Sequence, residues 1–341
     1  MKAITQRQYG SPDELELRDI AQPSIGDGEV LVRVHAASVN TADRLILRGR
    51  PYLMRAAGAN LGFGLRRPKF AVPGTDLAGR VVAVGGGVTL FRPGDEVYGN
   101  VPAAIAEFVA APESALAPKP TGLTFEQAAA MPLAALTALQ GLRDAGQVQA
   151  GHRVLINGAS GGVGSYAVQI AKALGAEVTA VTSTPNVQMV RSLGADHVID
   201  YTREDFTQGD ERYDLIFDLV GNHSLASRRR VLTPAGALVL SYVGKNRWVG
   251  PVGQILAAAI LTKFTSQKLV SFTTAPNQED LLRLSELAER GKVTPVIDRA
   301  YPLRDAAEAV RYLERGRARG KVVVTVAPAL GRWTPATQVA T

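Results

Sequence analysis

The stretch Val154-Leu-Ile-Asn-Gly158-Ala-Ser-Gly161-Gly162-Val-Gly164-Ser-Tyr-Ala-Val-Gln-Ile-Ala-Lys-Ala-Leu-Gly175 decides the fold. It opens with a short apolar strand from Arg153 to Ile156 and turns through a glycine cluster. It then enters a helix whose apolar residues, Val163, Ala167, Ile170, Ala171 and Leu174, recur at helical spacing. Gly175-Ala176 ends the helix, and Glu177 to Val181 reads as the next strand. Strand, glycine turn, helix and strand in this order form a dinucleotide-binding unit. Glycines at 161, 162 and 164 permit a tight turn and close backbone approach. The free N–H groups that open the helix, aided by its dipole, then face a pyrophosphate.

Working outward, the chain has 341 residues, more than one core usually serves, so two domains are expected. It is 46% hydrophobic and 20% charged, the composition of an ordinary globular protein. It has no cysteine, which excludes disulfides, redox thiols and thiolate-bound metal. Met1-Lys-Ala-Ile4 lacks an apolar signal region, and no apolar run reaches the roughly 18 residues of a membrane span. A cytoplasmic protein without membrane contact is expected. The net charge of +7 is read as arginine-rich solvated surface, with Arg228-Arg-Arg230 on a solvated helix face.

Residues 1 to 124 hold many short strand-like runs between Gly and Pro turns, including Glu29–His35 and Asp76–Val84, as in a small β-barrel-like domain. Thr124-Phe-Glu-Gln127 reads as a capping box that starts an almost wholly apolar helix running through Leu142. Pro132 is expected to kink this helix, and its all-round apolarity to bury it between the domains. Strands near 154, 178, 198, 214 and 237, alternating with helices, imply a parallel sheet with its ligand at the carboxyl ends of the strands. Leu269–Thr273 reads as a final strand, Gln278–Arg290 as an amphipathic helix, and Lys321–Val326 as a strand returning to the first domain. The apolar run at 251–264 reads as core or subunit interface, and the last fifteen residues as a frayed tail.

Across nearly its whole length the sequence resembles the medium-chain dehydrogenase/reductase superfamily, and within it the zinc-free quinone oxidoreductases and related enone reductases. The matching stretches, beside the glycine loop, are Ser38-Val-Asn-Thr-Ala-Asp43, Pro73-Gly-Thr-Asp-Leu-Ala-Gly79, Arg92-Pro-Gly-Asp-Glu-Val97, Ala129-Ala-Met-Pro-Leu133, Leu193–Tyr201, Tyr213–Gly221 and Gly320-Lys-Val-Val-Val324. The resemblance implies an α/β chain with a doubly wound parallel Rossmann sheet and a GroES-like β-rich catalytic domain. Residues 1–124 would form the first part of the catalytic domain, 125–268 the Rossmann domain, and 269–341 the return to the catalytic domain.

Zinc-dependent members of the superfamily hold their catalytic metal with a Cys, a His-Glu pair and a further Cys or Asp. By position these resemble Asn40, Thr75-Asp76 and Leu133 here, a set that leaves one carboxylate and cannot close a tetrahedral zinc site. No metal is therefore expected. The expected substrate is a small molecule already carrying a conjugated acceptor, a quinone or an α,β-unsaturated carbonyl. After the second strand, where NAD-specific folds carry an acid, stands Thr182-Ser183-Thr184-Pro185-Asn186, which favours NADPH. The resemblance places cofactor contacts at Thr137, Ser160, Gly161, Gly162, Val163, Gly164, Ser183, Thr184, Asn186, Tyr201, Val220, Gly221, Tyr242, Val243 and Lys321, with Tyr201 and Lys321 toward the 2′-phosphate. Asn40 is the candidate to hydrogen-bond the substrate carbonyl or the ribose, and Tyr52 to donate the proton. Asp43 and Arg48 match a family pattern read as a structural ion pair. A homodimer is expected. The alternative is an NADPH-binding sensor or RNA-binding protein with little turnover.

Overall fold

The computed structural model describes residues 1–57, 62–241, 248 and 265–326. The chain begins with an antiparallel pair, β1 (Lys2–Thr5) and β2 (Glu16–Asp19). Then come β3 (Glu29–Val39), α1 (Thr41–Arg48), α2 (Met54–Ala57), β4 (Asp76–Val84), β5 (Glu96–Asn100), β6 (Phe108–Pro112) and β7 (Leu116–Pro118). Helices α3 (Phe125–Ala129) and α4 (Pro132–Gln140) lead to β8 (Arg153–Asn157), α5 (Gly162–Ala173), β9 (Glu177–Thr182), α6 (Val187–Ser192) and β10 (His197–Asp200). After these run β11 (Tyr213–Asp218), α7 (Leu225–Arg230), β12 (Leu232–Leu240), β13 (Lys268–Ser271), α8 (Gln278–Glu289), β14 (Ile297–Pro302), α9 (Ala306–Glu314) and β15 (Lys321–Thr325).

Two large sheets organise these elements. The first has seven strands in the order β14-β15-β3-β4-β5-β7, with β6 also on β3. β3 changes partner along its length: Glu29 to Arg33 pair with β6, and Ala36 to Val39 pair with β15, while β4 follows the opposite edge throughout. Alternating Val30, Val32 and Val34 turn inward, and with Val97, Val109, Leu116 and Val310 they build the core of this half. The second sheet is wholly parallel, β10-β9-β8-β11-β12-β13. Counted along the chain its order is 3-2-1-4-5-6, so the direction of winding reverses between β8 and β11. All four residues of β13 pair with β12, so Leu269 to Ser271, beyond the division expected at 268, still belong to this sheet.

The expected capping box is present. Gln127 N donates to Thr124 Oγ1 at 3.2 Å, and Thr124 N donates to Gln127 Oε1 at 2.9 Å. The single kinked helix is instead two. α3 stops at Ala129, and Pro132 starts α4, because proline lacks the N–H that a continuous helix needs there yet suits a first turn. α4 is buried on nearly every side, as its apolarity requires, against α5 and α8. The run 251–264 and the last fifteen residues lie outside the described residues.

Candidate active site

The glycine turn follows β8 at the point where the winding reverses. Gly161 caps α5 without a side-chain hydrogen bond, and the first backbone bond entering the helix is Ser165 N to Gly161 O at 2.9 Å. The N–H groups of Gly162, Val163 and Gly164 thus open a 12-residue helix that no side chain caps by a hydrogen bond. The turn admits no bulk at Gly164, where a Cβ would lie 2.1 Å from Gly158 O. At Gly158 a Cβ would come within 2.8 Å of Val220. Val220 N and Gly221 N both donate to Asp218 Oδ1, at 3.0 and 2.9 Å, so these two N–H groups are satisfied within the chain, and the Val220 side chain is exposed.

A hydroxyl cluster sits beside the turn. Asn186 Nδ2 donates to Ser160 Oγ at 3.2 Å and to Ser183 Oγ at 3.1 Å, which leaves both hydroxyl hydrogens free to donate elsewhere. Asn186 Oδ1 is buried without a partner. Thr184 does not join them. Its hydroxyl donates to Asp200 Oδ2 at 2.6 Å, so its proton is spent on a carboxylate. Thr184 instead lines a groove with Arg191, Arg203, Asp200 and Glu204. Those two arginines are cations that reading the 182–186 segment alone misses. Tyr201 is 59% exposed.

Register assembles the second cluster. Ser38 lies opposite Asp76 across β3 and β4, Asp76 opposite Asn100 across β4 and β5, and Val322 opposite Val39 across β15 and β3. This brings Lys321, at the start of β15, to Asn40, which caps α1 just after β3. Asp76 is fully buried and accepts from every side: Oδ1 from Asn100 Nδ2 at 2.7 Å and Leu133 N at 3.0 Å, Oδ2 from Asn40 Nδ2 at 2.8 Å, Ser38 Oγ at 3.0 Å and Lys321 Nζ at 3.4 Å. Lys321 Nζ also donates to Asn40 Oδ1. Burial pulls the Lys321 ammonium below its ordinary range, and the charge of Asp76 opposes this.

Three sequence expectations are corrected here. Lys321, expected at the 2′-phosphate, is buried beside Asn40 and Asp76, with its stem against the glycine turn: a Cβ on Gly162 would lie 3.2 Å from Lys321 Cδ. Asp43 does not pair with Arg48. Its Oδ2 accepts from Asn40 N at 2.7 Å, while Arg48 binds Glu314 at 2.7 Å. On an eight-residue helix a spacing of five puts the two side chains on different faces. Burial pushes the Asp43 carboxyl up to about 7. The third is Arg228, fully buried in an ion pair with the equally buried Asp218; its neighbours Arg229 and Arg230 bind Gln267 and the Thr207 carbonyl.

Thr137 lies one turn beyond Leu133 on α4. Its hydroxyl donates to Leu133 O at 2.7 Å and lies 2.7 Å from Thr274 Oγ1. Tyr52 sits in another group: its ring is edge-on to Trp248 at 4.9 Å, with Arg55 at 4.8 Å. Tyr242 and Val243 lie outside the described residues. Among the described residues no group of three or more His, Cys, Asp or Glu has metal-site geometry. The residues at the superfamily's zinc positions do not fit that ion, since the one carboxylate is filled by protein donors and faces an ammonium.

An open helix terminus at the switch point of a 3-2-1-4-5-6 sheet, joined to a buried polar cluster on a β-rich domain, defines a nucleotide-dependent oxidoreductase of two domains. Comparison with known proteins agrees. Residues 26–121 match the family described as alcohol dehydrogenase GroES-like domain, and residues 193–324 the family described as zinc-binding dehydrogenase. The chain is 35% identical to 2-methylene-furan-3-one reductase of Solanum lycopersicum, over 96% of its own length and 80% of that protein. It is 35% identical, with the same coverage, to the NADPH-dependent alkenal/one oxidoreductase of Arabidopsis thaliana chloroplasts. The solved quinone oxidoreductase of Coxiella burnetii superposes with a TM-score of 0.83 at 32% identity, covering 96% of this chain and 99% of that one. The chain belongs to the medium-chain dehydrogenase/reductase superfamily, in its branch of quinone and enone oxidoreductases.

Proposed function

We propose that the protein is an NADPH-dependent, zinc-independent oxidoreductase that delivers hydride to a quinone or an α,β-unsaturated carbonyl. The observation that carries this reading is the uncapped start of α5 linked through Lys321 to the buried Asn40–Asp76 cluster. The residues fit the cofactor: the turn leaves no room for a side chain at Gly164, and the helix start carries no side-chain cap hydrogen bond. Bound NADPH supplies the hydride. Gly161, Gly162, Val163 and Gly164 hold the pyrophosphate. Ser160 and Ser183, oriented by Asn186, would donate to the 2′-phosphate, with Arg203 and Arg191 lining the adjoining groove and the exposed Tyr201 as a further contact. Thr137, Val220 and Gly221 would flank the nicotinamide. Hydride forms a C–H bond at the acceptor's electrophilic carbon, the π electrons move to its carbonyl oxygen, and Asn40 donates to that oxygen as charge grows. A proton from water then completes the reduction. The ring packing of Tyr52 supports a pocket-lining role in place of the proton donor expected from sequence.

The catalytic unit comprises residues 1–124 together with the chain that returns through β14 and β15, and the nucleotide unit lies between them. We place the protein in the cytoplasm as a homodimer, which light scattering of the eluted protein and cell fractionation test. The deciding experiment follows loss of NADPH absorbance by chelator-treated protein with a naphthoquinone, a cyclic enone and a short alkenal, with NADH in parallel. Turnover of at least one acceptor, unchanged by chelation and faster with NADPH, is expected. Tight NADPH binding without turnover of any acceptor would instead support a nucleotide sensor.

A further inference from the structure

We propose that Lys321 is a positioning residue that locks the Asn40 carboxamide by its oxygen, so that Asn40 acts in the cleft as a hydrogen-bond donor. An amide can usually be turned over without changing its shape, and its orientation must be argued from its partners. Here the partners leave no choice. Lys321 Nζ donates, and Asp76 Oδ2 already accepts from Ser38 and Lys321, so Oδ1 must face Nζ and Nδ2 the Asp76 carboxyl oxygen. One Nδ2 hydrogen is used by Asp76, and the other remains for a ligand. The ammonium on Oδ1 draws electron density through the amide and strengthens that N–H as a donor. The atom it meets is therefore an acceptor whose negative charge grows during hydride arrival, which is the acceptor's carbonyl oxygen; this step rests on the function proposed above.

The same lysine reaches the cofactor end of the cleft. Gly320 N donates to Ser160 O at 2.9 Å, and the Lys321 stem passes the Gly162 position. Seating of the pyrophosphate against the turn and orientation of Asn40 thus share one side chain. Lys321 serves hydride transfer rather than recognition of the 2′-phosphate.

A double-mutant cycle tests this with K321M, N40A and K321M/N40A, measuring kcat and KM for acceptor, NADPH and NADH. K321M should lower kcat about 10- to 100-fold and leave the NADPH to NADH preference within about threefold. The double variant should be no slower than N40A, and K321R should recover part of the loss. Losses that multiply in the double variant, or a K321M defect confined to NADPH affinity, would overturn the proposal. Should K321M fail to fold, K321M/D76N removes both buried charges, and the same fall in kcat is expected. A separate measurement does not need turnover: exchange of the Asn40 side-chain amide protons in asparagine-labelled protein. These should exchange faster in K321M and as in wild type in the surface variant K268M. Unchanged exchange in K321M would refute the lock. Faster exchange in K321M, alongside a wild-type protein that reduces no acceptor, would uphold the lock and reject the proposed function.

Discussion

Asp43 is a buried carboxyl whose charge the fold disfavours. Its Oδ2 caps α1 by accepting from Asn40 N, while its Oδ1 is buried with no partner. Burial is the main cause of its raised pKa of about 7; the nearby Asp76 adds to it, and the backbone bond from Asn40 and the charge of Lys321 oppose it. The unfolded carboxyl titrates near 3.8, so between that pH and about 7 the native state binds more protons than the unfolded one. Stability therefore falls as pH rises through this window. An asparagine in place of Asp43 would keep an oxygen for the cap and carry no charge. We expect D43N to flatten the fall in melting temperature between pH 4 and 8, measured by calorimetry. A steeper fall in D43N would contradict this assignment. At the phosphate end, N186A should free the Ser160 and Ser183 hydroxyls to turn, raising KM for NADPH several-fold while that for NADH changes little. Equal changes in both would remove Asn186 from phosphate selection.

At the scale of elements, the glycine turn is the least forgiving. A methyl at Gly164 meets the backbone at Gly158 and Ala159, neither of which can swing aside. G164A should abolish nucleotide binding, read by quenching or calorimetry, and lower the melting temperature. A methyl at Gly162 meets the flexible stem of Lys321 at 3.2 Å, so G162A should fold normally yet lose kcat through that stem. The turn was legible in the sequence because every determinant is local: strand, glycines and apolar period lie in one run of chain. The same locality made the Thr124 capping box readable. The active cluster was not readable in that way. Asn40 and Lys321 are 281 positions apart and meet through the pairing of β15 with β3, and Arg48 and Glu314, 266 apart, meet where α1 packs on α9. The family pattern paired Asp43 with Arg48, whereas Asp43 accepts from Asn40 N at the start of its own helix and Arg48 finds Glu314 across the fold; Arg228, read as solvated, is buried on Asp218.

Across the whole molecule, the two sheets are bolted by few polar contacts set in apolar packing. Tyr98, fully buried on β5, donates to Leu281 O at 2.6 Å on α8, and Ser285 Oγ donates back to its phenol at 3.0 Å. Gln278 Nε2 reaches the Glu113 and Leu116 carbonyls at 3.0 and 2.7 Å. Y98F leaves the Leu281 carbonyl and the Ser285 hydroxyl without that partner, a loss of about 1–3 kcal/mol. That corresponds to a fall of several degrees in melting temperature. Because the bolt lies away from Asn40 and the glycine turn, kcat should be unchanged; a matching loss of kcat would place Tyr98 in the catalytic machinery.

The return of β15 to the middle of the first sheet also sets a timetable for the growing chain. The edge of β3 from Ala36 to Val39 is made early, and the strand that covers it is made 281 residues after Asn40. At about 5–20 residues per second the ribosome leaves that edge open for tens of seconds. An uncovered apolar strand edge is a template for pairing with a neighbouring chain. On the polysome that edge thus lacks its native partner, and a nascent chain that stops short of Lys321 holds Asn40 without the side chain that orients it.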